Sequence, residues 1–153
     1  MWRYHPQGET RAARASAVGR LWAGVVAGAC LAVLVTAAAL RPDASGLGTH
    51  TQLGLAACGF ELATGLPCAT CGMTTSFSLA ADGRVLDAVA TQPFGALLAV
   101  LSAVAVLVGG RAAAAGMNPL PLVAPLGRSS VIITVIAALL FAWAYKMMLA
   151  MGG

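Results

Sequence analysis

Between Arg20 and Arg41 the chain runs for twenty residues, Leu21 to Leu40, without one charged side chain ("LWAGVVAGACLAVLVTAAAL"). At about 1.5 Å of rise per residue, a helix of this length covers a hydrocarbon layer roughly 30 Å thick. The run exceeds the apolar core of a secretory signal peptide, roughly 7–15 residues, so it reads as a transmembrane helix. Two later runs have the same character. "PFGALLAVLSAVAVLVGG", Pro93 to Gly110, opens on a proline, which is tolerated at a helix entrance, and closes on a glycine pair suited to an exit; its helix is open to an earlier start at Val85. "VIITVIAALLFAWAYKMMLAMGG", from Val131, carries Trp143, Tyr145 and Lys146 near its far end, where amphipathic rings and a snorkelling ammonium suit the membrane interface.

With 59% of 153 residues hydrophobic and 9% charged, a water-soluble domain of this size could not hide its apolar surface. The expected fold is therefore all-α, an integral membrane helical bundle with three transmembrane helices near residues 21–40, 93–110 and 131–150. A basic segment, 1–20, precedes a single membrane domain, 21–153, and no internal repeat is visible. The apolar residues are mostly Ala, Val, Leu and Gly, which let helices approach closely. The connection "RAAAAGMNPLPLVAPLGRSS", Arg111 to Ser130, is broken by Pro119, Pro121 and Pro125 and reads as an irregular loop.

Arg3, Arg11, Arg14 and Arg20 precede the first span, and Arg111 and Arg128 follow the second, whereas the connection from Arg41 to Gln92 also holds Asp43, Glu61, Asp82 and Asp87. The positive-inside rule then puts the N-terminus in the cytoplasm and residues 41–92 on the outer face. Topology accounts for the basic residues, with anionic lipid headgroups as a further partner for those before the first span, and nucleic-acid binding has no support.

The chemistry concentrates in the Cys-rich loop, residues 50–92. Cys58, Cys68 and Cys71 form a C-x9-C-x2-C pattern, while Cys30 lies inside the first span as a small apolar residue. A two-residue gap lets both sulfurs turn to one side of a knuckle, and Gly72 leaves the adjoining backbone open. Met73 to Ala81 reads as a short helix, which places Cys71 at a helix N-terminus, where the dipole favours thiolate. Leu53 to Ala80 has a single charge, Glu61, so the loop lies at the interface or forms a re-entrant hairpin; Arg84 is the expected partner of Glu61. Thr74, Thr75, Ser76 and Ser78 make a polar stripe that lines a site or bonds within its own helix.

Three readings of the cysteines stay open. One is a metal site, zinc or another soft ion such as Cu(I) on Cys58, Cys68 and Cys71, with His50, Glu61, Met73 or water as fourth ligand. The second is thiol–disulfide chemistry with Cys68 and Cys71 as the exchanging pair and Cys58 resolving. The third is structural, one bridge from Cys58 to Cys68 or Cys71 that staples the loop.

The text "CGFELATGLPCATCGMTTSFSLAADGRVLDAVATQPFG", Cys58 to Gly95, resembles the small bacterial membrane proteins called domain of unknown function 2752. Their hallmark is Cys-Pro-Phe, then Thr-Gly-x-Pro-Cys-Pro-x-Cys-Gly-x-Thr-Arg, a turn, a helix and Asn-Pro before the next span. Cys58, Phe60, Thr64, Gly65, Pro67, Cys68, Cys71, Gly72, Thr74 and Pro93 match it, whereas Gly59, Ala69, Thr75 and Gln92 depart from it. The Gln92 amide is placed to bond back to the cysteine loop. The resemblance implies a polytopic protein of the bacterial cytoplasmic membrane and implies no activity. Paired carboxylates, a GxSxG elbow and a Walker loop are missing from the sequence, so the reading leans away from an enzyme and toward an accessory subunit, working as a homo-oligomer or in a larger membrane complex.

Overall fold

The computed structural model of the chain describes residues 7–115 and 128–152, with side chains from residue 17 onward. Three of its helices are long and apolar enough to cross a membrane: α1 (Gln7–Ala39), apolar from Ala17, and two later ones starting at Pro93 and Ser129. Between α1 and the second span lie a 3-10 turn (Thr49–Leu53), α2 (Gly59–Thr64), α3 (Met73–Ala81) and α4 (Val85–Thr91). The spans that follow are α5 (Pro93–Ala115) and α6 (Ser129–Gly152). The second span therefore runs five residues past the Gly109-Gly110 exit expected from sequence. Most of the irregular loop expected between the last two spans, including its three prolines, falls on 116–127, outside the described residues.

α1 and α5 pack antiparallel along a seam of small residues. A Cβ on Gly109 would stand 3.0 Å from the Ala23 carbonyl oxygen and 3.2 Å from the Ala27 Cβ, so glycine there sets how closely the backbones approach. Ala23, Ala27, Ala99 and Ala112 are buried in these two helices. Near the same end, Arg20 Nε donates to the Ala113 carbonyl at 3.3 Å.

At the other end of this pair α3 lies against both helices, and its polar residues are buried instead of solvated. Thr75, Ser76 and Ser78 are each 1% exposed or less. The sequence left open whether these hydroxyls bond within their own helix. They bond across the fold: Ser78 Oγ donates to the Leu40 carbonyl at 2.7 Å, and Ser76 Oγ to the Ala88 and Gln92 carbonyls at 2.9 and 3.1 Å. These carbonyls lie at or near the ends of α1 and α4; those of Ala88 and Gln92 also accept the backbone N–H of Gln92 and Ala96, so the Ser76 hydroxyl adds a second bond to each. The Thr75 and Thr49 hydroxyls share a 2.7 Å bond, and Thr49 Oγ1 also accepts the Asp43 N–H. Leu79 meets Ala88 and Ala96 in a small apolar core.

The helix beginning at Val85 breaks at Gln92, whose backbone is extended (φ −158°, ψ 100°). Pro93 is the cause, because its ring excludes the helical conformation from the preceding residue. The break turns the Gln92 side chain inward: it is fully buried, its Oε1 accepts the Gly95 N–H, and its Nε2 donates to the Ala69 carbonyl at 3.4 Å, as expected for a tie to the cysteine loop.

α6 is attached differently. It touches α5 only lightly, and Ile133, Phe141, Met148 and Met151 are exposed. What fixes it is polar: Trp143 Nε1 donates to the Pro67 carbonyl at 3.0 Å, Tyr145 Oη to Ala90 at 3.3 Å, and Lys146 Nζ to Cys71 at 3.2 Å. The three residues expected to seek the membrane interface thus turn toward the cysteine motif, and Lys146 is only 9% exposed.

Candidate metal centre

Each cysteine is placed by a turn. Cys58 caps α2, its carbonyl accepting the Leu62 N–H at 3.0 Å. α2 stops after six residues because Gly65 adopts a left-handed conformation (φ 70°) and its N–H closes on the Glu61 carbonyl at 2.7 Å. The Thr64 hydroxyl donates to the Phe60 carbonyl and accepts the Leu66 N–H. Thr64-Gly65-x-Pro67 is thus a helix stop that reverses the chain into Cys68. From Cys68 a turn closed by the Cys71 N–H on the Cys68 carbonyl, 3.1 Å, brings the second sulfur round. Gly72 then enters α3 with φ 82°, and a Cβ there would lie 2.7 Å from the Gly46 oxygen and collide with Lys146 Nζ.

These turns bring the sulfurs of Cys58, Cys68 and Cys71 within 4.8 Å of one another. A point equidistant from three atoms at that spacing is about 2.8 Å from each, so a small contraction reaches the roughly 2.3 Å of a zinc–thiolate bond. Such a group could hold a metal ion, and all four cysteines of the chain are unbridged in the structure. The sulfurs face a cavity of about 330 Å³ lined also by His50, Thr70, Met73 and Thr74.

The candidate fourth ligands divide. His50 borders the cavity, but its Nε2 is engaged with the Ala56 carbonyl at 3.1 Å. Glu61 Oε2 accepts a long contact from the Cys71 thiol at 3.9 Å. Neither joins the three-sulfur group among the described residues. Met73 lies on the cavity wall. The expected Glu61–Arg84 pair does not form, because Arg84, the residue before α4, reaches Asp87 in the first turn of that helix at 2.8 Å. The cation near Glu61 is Lys146, and the two line one cleft of about 450 Å³.

The two cysteines of the knuckle differ sharply. Burial works against the Cys68 thiolate, but hydrogen bonds from Thr70, Cys71 and Cys58 outweigh it, and the thiol falls to about 7; its sulfur is 3.3 Å from Thr70 Oγ1. Cys71 is pushed up to about 12, first by burial and then by its hydrogen bonds with Cys68 and Cys58. The sequence assigned the favoured thiolate to Cys71 at the start of α3; desolvation reverses the order, and the half-buried Cys68 holds the more acidic thiol. Lys146 went unrecognised as part of the site. The available signal was that it is the chain's single lysine and sits within a span.

Neither a curated protein nor a solved structure matches the chain. Residues 58–106, from the first cysteine of the cluster into the middle of α5, match the family model described as protein of unknown function (DUF2752), the family that the motif resembles.

Proposed function

We propose that this chain is a polytopic membrane protein in which Cys58, Cys68 and Cys71 bind one zinc or other soft metal ion as thiolates. The observation that carries the reading is the convergence of three sulfurs from separate turns to within 4.8 Å. An ion there joins the start of α2, the turn after Pro67 and the entrance of α3. Its role is structural, and the chain acts as an accessory subunit in the bacterial cytoplasmic membrane. The N-terminus is cytoplasmic and the centre lies at the outer face, as the arginine distribution favours. Exposed apolar faces on α1 and α6 offer contact to lipid, to a second copy or to a larger complex.

The split between Cys68 and Cys71 favours a second reading, a membrane thiol–disulfide oxidoreductase. An accessible, acidic thiol beside a buried one suits attack on a disulfide and its subsequent resolution. Elemental analysis of protein purified in detergent, with a thiol count before and after reduction, separates the two. The metal reading predicts about one ion per chain and no reducible bridge. A metal-free protein that gains two thiols on reduction would overturn it.

A further inference from the structure

Lys146 is a buried amine that forms no ion pair with a carboxylate among the described residues. It is 9% exposed, and the one hydrogen bond of its ammonium among the described residues goes to the Cys71 carbonyl at 3.2 Å. The sole ion pair among those residues is Arg84–Asp87, so Glu61, though it shares a cleft with Lys146, stays beyond pairing distance. The acidic side chains placed beside Lys146 are those of Cys71, whose carbonyl it bonds, and of Glu61 in the same cleft. A desolvated ammonium in a membrane-spanning helix is costly unless negative charge stands close to it.

We propose that Lys146 is the counter-ion of the metal–thiolate centre. The inference rests on the metal reading above and adds to it the residue that offsets the charge of the thiolates. Three thiolates around a divalent ion carry a net charge of −1, which one ammonium balances. Lys146 acts through the ligands as a positioning residue, with its Nζ on the carbonyl of the ligand Cys71. Gly72 makes the approach possible, since a side chain there would occupy the space of Nζ.

The test is a Zn²⁺ titration of the detergent-purified full chain against a chromophoric chelator, for wild type, Lys146→Met and Lys146→Arg. Each variant is also melted with and without Zn²⁺. Met keeps the length and removes the charge, whereas Arg keeps the charge and adds bulk against Gly72. We expect Lys146→Met to bind Zn²⁺ about 10–100-fold more weakly, the usual effect of losing a group that supports metal ligands. Its Zn²⁺-induced gain in melting temperature should shrink, and its metal-free form should lose no more than the small contribution of the single Lys146–Cys71 hydrogen bond. Lys146→Arg should lose less affinity than Lys146→Met. Unchanged affinity in Lys146→Met, a larger loss in Lys146→Arg, or a Lys146→Met chain that folds poorly without metal would each overturn the counter-ion role and leave the metal reading standing. A wild type that binds no Zn²⁺ would overturn both.

Discussion

The α1–α5 seam and the attachment of α6 are two solutions to docking a helix where water is scarce. Along the seam the backbones close on glycine and alanine, with Gly109 against Ala23 and Ala27, and shape does the holding. At the cysteine motif, α6 is held by three side-chain donors on the carbonyls of Pro67, Ala90 and Cys71. The contrast teaches that apolar surface gives no preference for one helix over lipid, so a span needs either close packing or polar ties to find its place. α6 takes the second course, and its ties end on the loop that builds the sulfur cluster.

Changes on either side of this contrast should differ in size. The largest effect belongs to Gly72→Ala, which puts a Cβ on a left-handed residue and into the space of Lys146 Nζ and the Gly46 oxygen. Backbone strain and overpacking together should cost about 3 kcal/mol, read by denaturant unfolding in detergent. Next is the thiol contrast within the motif. In metal-free protein at pH 7, iodoacetamide should alkylate Cys68 about 100-fold or more faster than Cys71, because only the thiolate reacts. The Cys68 rate should climb as pH rises through about 7 and then level off, while Cys71 stays protected until strongly alkaline conditions; equal rates would erase the distinction. On the seam, Gly109→Leu should cost about 2 kcal/mol through overpacking while leaving metal binding at the far end unchanged. The smallest effect is Trp143→Phe, which removes one N–H···O bond for about 0.6 kcal/mol, the usual scale of such bonds between membrane helices.

What could be read from the chain follows from how local each cause is. Leu21–Leu40, Pro93–Gly110 and Val131 onward announce three spans by apolar length alone, and the structure supplies helices at all three. α3 is also local: the Cys71-Gly72 turn opens it and the "ADGR" turn follows it, and its bounds fall at Met73 and Ala81. The C-x9-C-x2-C spacing indicated a cluster, and the Gln92 amide does reach the loop. Lys146 lies 75 positions from Cys71, and near a helix end a lysine that snorkels and one that turns inward have the same sequence. The order of the two thiols depends on burial against elements distant in the chain, which overrides the helix terminus that sequence shows. The hydroxyls of Ser76 and Ser78 find carbonyls 12 and 38 positions away, beyond any local pattern.

The central claim is that three cysteine sulfurs share one ion, and X-ray absorption at the edge of the bound metal tests it most directly. The account predicts a nearest shell containing three sulfur atoms at about 2.3 Å if the ion is zinc, reduced to two in each of Cys58→Ser, Cys68→Ser and Cys71→Ser. A shell made only of nitrogen and oxygen, or one that survives all three substitutions unchanged, would contradict it.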